Sequence, residues 1–128
     1  MPSIEFPGQP AANGYSHVAV VAPGSRLIHT SGQVAIDAGG TIPESLEEQT
    51  RLVFRNLETV LVSAGAGWGD VVKLTYFVTG VDDLPVVRSV RDEFVDVTRP
   101  PASSLVQVAG LFRPGLLIEV EAIAAVPA

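Results

Sequence analysis

The run Val71–Thr79 (VVKLTYFVT) is the segment that most narrows what this chain can become. Its β-branched and aromatic residues favour a pleated strand, where branched side chains pack well against their neighbours. A stretch with helical periodicity lies on each side of it. Before it, Ser45 opens a helix, and Glu48 follows three residues later at capping-box spacing, which satisfies two otherwise free backbone donors. Leu46, Val53, Leu57, Val60 and Leu61 recur at helical spacing with Phe54 beside them, while Glu47, Arg51, Arg55 and Glu58 take the opposite side. Gly65 stops this helix in the usual C-terminal way. After the strand, Asp82 and Asp83 cap and charge the start of a second helix. Pro85 falls in its first turn, the one place a helix tolerates proline, and Val87, Val90 and Phe94 form its apolar stripe.

Outside this centre, Met1–Gly14 reads as an irregular arm rich in Pro and Gly. Ser16–Val21 and Leu27–Ser31 are strand candidates, joined by the turn chemistry of Pro23-Gly24-Ser25, so the pair reads as a hairpin. Asp37–Gly40 is a loop, and Ser104–Val108 and Leu116–Val126 are the last two strands. The order β-β-α-β-α-β-β predicts an α+β fold, a mixed sheet with two helices on one face. The uncovered face of such a sheet is expected to be covered by another copy of the chain. With 128 residues and no repeat or low-complexity segment, residues 1–128 are expected to form one domain, able to bury roughly two-thirds of its unfolded surface.

The formal net charge is −6, which disfavours binding to nucleic-acid phosphates. The chain has no Cys, so disulfides and thiolate metal sites are excluded. No apolar run reaches the ~18 residues of a membrane span, and the first ten residues lack the basic and apolar regions of a signal peptide. Neither a membrane nor a nucleic-acid partner is therefore expected.

The segment Arg99–Glu121 (RPPASSLVQVAGLFRPGLLIEVE) resembles the C-terminal signature of the RidA/YjgF family, whose usual form is Pro-Pro-Ala-Arg-Ser. Gly14-Tyr15-Ser16, Thr30-Ser31-Gly32-Gln33, Asp70-Val71-Val72-Lys73, Asp82-Asp83 and Glu119-Val120-Glu121-Ala122-Ile123-Ala124 extend the resemblance over nearly the whole chain. It implies a chorismate-mutase-like fold and a barrel-like homotrimer, with small-molecule clefts between subunits. It further implies a cytoplasmic protein without metal or cofactor. Members of the family hydrolyse reactive enamines and imines released by pyridoxal-phosphate enzymes, giving a keto acid and ammonia.

Carried over residue by residue, the resemblance implies that Glu119 is the catalytic acidic residue that positions water. Tyr15, Ser31 and Gly32 line the cleft, and Ser103, Ser104 and Leu105 hold the ligand. Ser103 departs from the pattern by standing where the family has Arg. A guanidinium grips a carboxylate with two hydrogen bonds, whereas a Ser hydroxyl offers one neutral bond and no charge. Turnover of 2-imino acids is accordingly expected to be weak or absent. Two readings stay open, a divergent deaminase or hydrolase with an altered substrate and a non-catalytic metabolite-binding or regulatory module. Arg88 is the second departure, since the family often has Asn there. It either supplies the missing positive charge to a neighbouring subunit's cleft or pairs with Asp92 one turn along its helix. Glu121 shares a strand face with Glu119 by period-two geometry and reads as a solvated carboxylate. His17 and His29 have no metal-ligand spacing.

Overall fold

The computed structural model describes residues 3–128; Met1 and Pro2, the first residues of the arm, lie outside the described residues. The strands are β1 (Ile4–Glu5), β2 (Val20–Val21), β3 (Arg26–His29), β4 (Gln33–Val34), β5 (Val71–Val78), β6 (Ala102–Gln107) and β7 (Ile118–Val126). Helix α1 spans Leu46–Ser63 and α2 spans Leu84–Arg91. The main sheet runs β3-β7-β5-β6, with β4 following β3 along the same edge of β7. Strand β6 is parallel to β5, and the other pairings are antiparallel, so the sheet is mixed as expected.

Both helices form where the sequence places them, but Asp83 at the start of α2 makes no capping hydrogen bond and only one of the two capping-box bonds forms at α1. The Ser45 hydroxyl accepts a hydrogen bond from the Glu48 amide at 3.1 Å, and Gly65 takes the left-handed backbone, φ 83°, that ends α1. Val53, Phe54, Leu57 and Leu61 are fully buried against the inward residues of β5 and β7, among them Leu74, Val78, Ile118 and Val120. Gln49, also fully buried, ties this helix to the sheet. Its Nε2 donates to the carbonyls of Pro43 and Gly115, and its Oε1 accepts from the Leu117 amide at 2.8 Å. That satisfied amide fixes the entry into β7, and so the position of Glu119 two residues later. Trp68 fills the turn between α1 and β5, its ring 5.3 Å from that of Phe54.

The expected hairpin between the first two strands is not formed. Pro23-Gly24-Ser25 does reverse the chain, with Gly24 at φ 81°, but β2 pairs with β1 from the arm while β3 pairs with β7. The turn carries the chain from a small two-stranded sheet to the main one. Only Val20–Val21 of the expected strand Ser16–Val21 is paired in a ladder, and the arm contains β1. Phe94, expected on the second helix, lies just past its end and packs on the Phe54 ring at 5.4 Å.

Candidate functional site

Alternation along the strands divides the sequence-named site residues between the two faces of the main sheet. In β5, Leu74, Tyr76 and Val78 turn toward the helices, while Lys73, Thr75 and Phe77 turn away. Pairing carries this across the sheet. Glu119 lies opposite Phe77, Glu121 opposite Thr75 and Ser104 opposite Thr75 on the open face, whereas Ser103 and Leu105 lie opposite Leu74 and Tyr76 on the helix side. Ser104 and Leu105 therefore point to opposite faces and do not line one cavity of one chain.

On the open face the site is built around a bulge. Between His29, opposite Ile123, and Gln33, opposite Val120, the chain gains one residue relative to β7. Such insertions re-aim side chains and are common beside active sites. Thr30 bridges the gap, its amide donating to the Ala122 carbonyl and its hydroxyl accepting from the Ala122 amide. Ser31 is left exposed at the bulge. The Glu119 carboxylate lies across Gly32, where any Cβ would collide with it. Glycine is needed here because of that close approach. Glu119 is half-buried, and Lys73 on the same face donates to the Ser104 hydroxyl at 2.9 Å.

On the helix side, Tyr15, Ser103, Leu105, Arg88, Arg91 and Tyr76 line a cavity of about 120 Å³ between α2 and the exposed edge strand β6. Ser16 sets Tyr15 there. Its hydroxyl donates to the Pro100 carbonyl at 2.6 Å and its amide to the Pro101 carbonyl at 3.0 Å, which pins the arm to the start of β6. Arg88 reaches this cavity, and the alternative pairing with Asp92 is not formed. Asp92 is held instead by Arg91, whose Nε and Nη2 lie 3.0 and 2.9 Å from its Oδ1. Arg88 has no ion-pair partner among the described residues.

Arg91 and Tyr76, which line this cavity, were not singled out from the sequence. Arg91 is 9% exposed and lies against Gly14, whose φ of 81° turns the backbone onto the guanidinium. Its i,i+3 relation to Arg88 on one side of α2 was the available signal. Tyr76 is 3% exposed, and among the described residues its hydroxyl has no hydrogen-bond partner. Burial holds this phenol protonated, well above its ordinary value; the Arg91 charge pulls the other way and Asp92 adds to the rise. The signal was a polar-tipped residue at an inward position of a buried strand.

No group of three or more His, Asp or Glu among the described residues is placed to hold a metal ion, and no helix among them is long and apolar enough to cross a membrane. His17 stands edge-on to the Tyr15 ring at 5.4 Å, and His29 is exposed on β3.

The family described as Endoribonuclease L-PSP matches residues 7–126. A 2-iminobutanoate/2-iminopropanoate deaminase of Salmonella typhimurium is 37% identical over 125 residues, covering 95% of both chains. Among solved structures, the Rid-family protein YyfB of Yersinia pestis superposes with a TM-score of 0.82 at 31% identity, over 98% of this chain and 100% of that one. TdcF of E. coli, solved with bound serine, gives a TM-score of 0.71 at 30% identity over 90% and 95% of the two chains.

Proposed function

The chain belongs to the RidA/YjgF family, the family described as Endoribonuclease L-PSP, and from that premise we propose that it binds a small reactive metabolite in clefts between copies of a homotrimer and adds water to its C=N bond. The observation that carries this reading is the Glu119 carboxylate seated over Gly32 at the bulge, on a sheet face that carries a mixture of polar and apolar side chains and leaves Val106 of edge strand β6 exposed. A second copy packed on this face would bring the Tyr15–Ser103 cavity of one chain toward the Glu119 of another. The serine in the TdcF relative and the imine named for the Salmonella relative support a ligand of a few heavy atoms.

In this reading Glu119 accepts a proton from water as the water oxygen bonds to the imine carbon. The proton passes to the nitrogen to give a carbinolamine; Glu119 then carries the hydroxyl proton to the same nitrogen, and the C–N bond breaks as the C=O bond forms, so ammonia leaves behind a carbonyl. Ser31 and the backbone at Gly32 hold the ligand on the Glu119 side, and Tyr15 covers it from the other. Ser103 favours a second reading, a metabolite-binding module without catalysis, because a neutral hydroxyl forfeits the two-point grip on a carboxylate. RNA cleavage is not part of the proposal, since a net charge of −6 opposes phosphate binding.

The test offers 2-iminobutanoate, generated in situ, to wild type and Glu119→Gln. Slow turnover above the uncatalysed rate is expected in wild type, falling to the uncatalysed rate in the variant. Equal rates in the two proteins remove Glu119 from the mechanism, and wild type at the uncatalysed rate favours the binding module.

A further inference from the structure

The cavity beside Ser103 holds charge and polarity that water addition at Glu119 does not use. Arg88 and Arg91 stand one turn apart on α2 and both line it, in a molecule of net charge −6. Arg91 is fixed in place. Asp92 holds Nε and Nη2, and the Gly14 backbone packs against the guanidinium, while Nη1 has no partner among the described residues. Against this pair sits the Tyr76 hydroxyl, buried and unpaired. A buried hydroxyl without a partner bears its full loss of hydration, so a polar atom arriving in the cavity relieves that loss. The volume of about 120 Å³ is comparable with the ~150 Å³ of an engineered cavity that takes up benzene, which gives room for a few heavy atoms.

We propose that Arg88, Arg91 and Tyr76 form an anion-recognition end of the ligand site, taking a short carboxylate that carries a second polar atom. The two arginines grip the carboxylate from α2, and the Tyr76 hydroxyl bonds the second polar atom. The charge missing from β6 at Ser103 is thereby supplied from the helix opposite, which shifts the carboxylate away from the strand. The inference rests on the cleft reading above for the identity of the pocket, yet concerns binding and not turnover.

Calorimetric titration with 2-oxobutanoate, and with butanone as the uncharged control, tests it in wild type, Arg88→Gln, Tyr76→Phe and Glu119→Gln. Wild type is expected to bind 2-oxobutanoate and not butanone. Arg88→Gln and Tyr76→Phe should each bind on the order of tenfold more weakly. Tyr76→Phe should melt no lower than wild type, because the hydroxyl it removes is unpaired in the free protein, so its loss of binding cannot be ascribed to misfolding. No binding by wild type, equal binding of butanone, or undiminished binding in both variants overturns the inference. The two readings fail separately. Turnover that needs Glu119 beside undiminished binding in the Arg88 and Tyr76 variants defeats only this one. Weakened binding in those variants without turnover in wild type defeats only the catalytic reading.

Discussion

The two faces of the main sheet are built from alternate residues of the same strands and do different work. On the helix side, Val53, Phe54, Leu57 and Leu61 close over Leu74, Val78, Ile118 and Val120, all of them buried. On the open side, Lys73, Thr75, Glu119 and Glu121 are only half-buried and Ser104 is exposed. The larger apolar core therefore lies on one face and the half-buried carboxylates on the other, one residue apart along β7, with a smaller buried cluster of Ile4, Val72 and Ala125 at the far end of the open side. The exception is the edge at β6, where the helix side opens into the cavity of Tyr76, Arg88, Arg91 and Ser103. There the packed face also carries polar groups available to a ligand.

The largest effect that separates the faces is expected from Phe54→Ala. It removes a fully buried ring that packs on Trp68, Tyr76 and Phe94. The loss should be about 3–5 kcal/mol of unfolding free energy, read by urea denaturation. Less than about 1 kcal/mol would mean that this face is not where stability resides.

Gly32→Ala should show the opposite pattern. Its Cβ meets the end of a flexible side chain, so the fold adapts by displacing the Glu119 carboxylate. Turnover should fall by about a hundredfold with little change in melting temperature. Gly80→Ala, where a Cβ meets nothing within 4 Å, is the silent control. Preserved turnover in Gly32→Ala would detach the bulge from function.

Glu121→Gln sharpens the assignment within the open face. Glu121 lies opposite Thr75 and has no contact with Gly32 like that of Glu119. Its turnover should stay within about twofold of wild type, the range of ordinary surface changes. A loss matching that of Glu119→Gln would make the two carboxylates a working pair.

The smallest effect belongs to Glu93. Arg51 of α1 hydrogen-bonds its carboxylate through two nitrogens at 2.6 and 3.0 Å, and that bond holds Glu93 below its ordinary value of 4.5. A carboxyl depressed in the folded state stabilises it above the unfolded value, and the contribution disappears as pH falls through the folded one. Both side chains are exposed enough for solvent to screen the pair, so the difference is small. Glu93→Gln should melt slightly below wild type at neutral pH and together with it in strong acid. A gap that persists in acid would assign the effect to packing.

The helices and the central strand were legible in the sequence because their signals are local. Ser45 with Glu48, the stripe through Leu57 and the β-branched run at Val71 each act within a few residues of chain. Strand partners were not legible. Pro23-Gly24-Ser25 specifies a turn, and nothing nearby specifies that β2 pairs with the arm or that β3 crosses to β7. For the site, motif positions gave Tyr15, Glu119 and Ser103, but not their division between two faces, which depends on pairing register. Arg91 and Tyr76 escaped notice because each resembled its surroundings, one more charge on a helix and one more ring in a strand. What sets them apart is burial and, for Tyr76, a hydroxyl without a partner among the described residues, which only three-dimensional packing reveals.

The proposed site takes Glu119 from one copy of the chain and the cavity of Tyr76, Arg88 and Ser103 from another. Mixing Glu119→Gln, which lacks turnover, with Arg88→Gln, which binds on the order of tenfold more weakly, after dissociation and reassembly tests it most directly with 2-iminobutanoate well below saturation. If the halves come from different subunits, random reassembly restores intact sites at about a quarter of the wild-type number, and turnover returns in that proportion. A mixture that stays at the level of its separate components would show that each site is built within one chain, and would contradict the account.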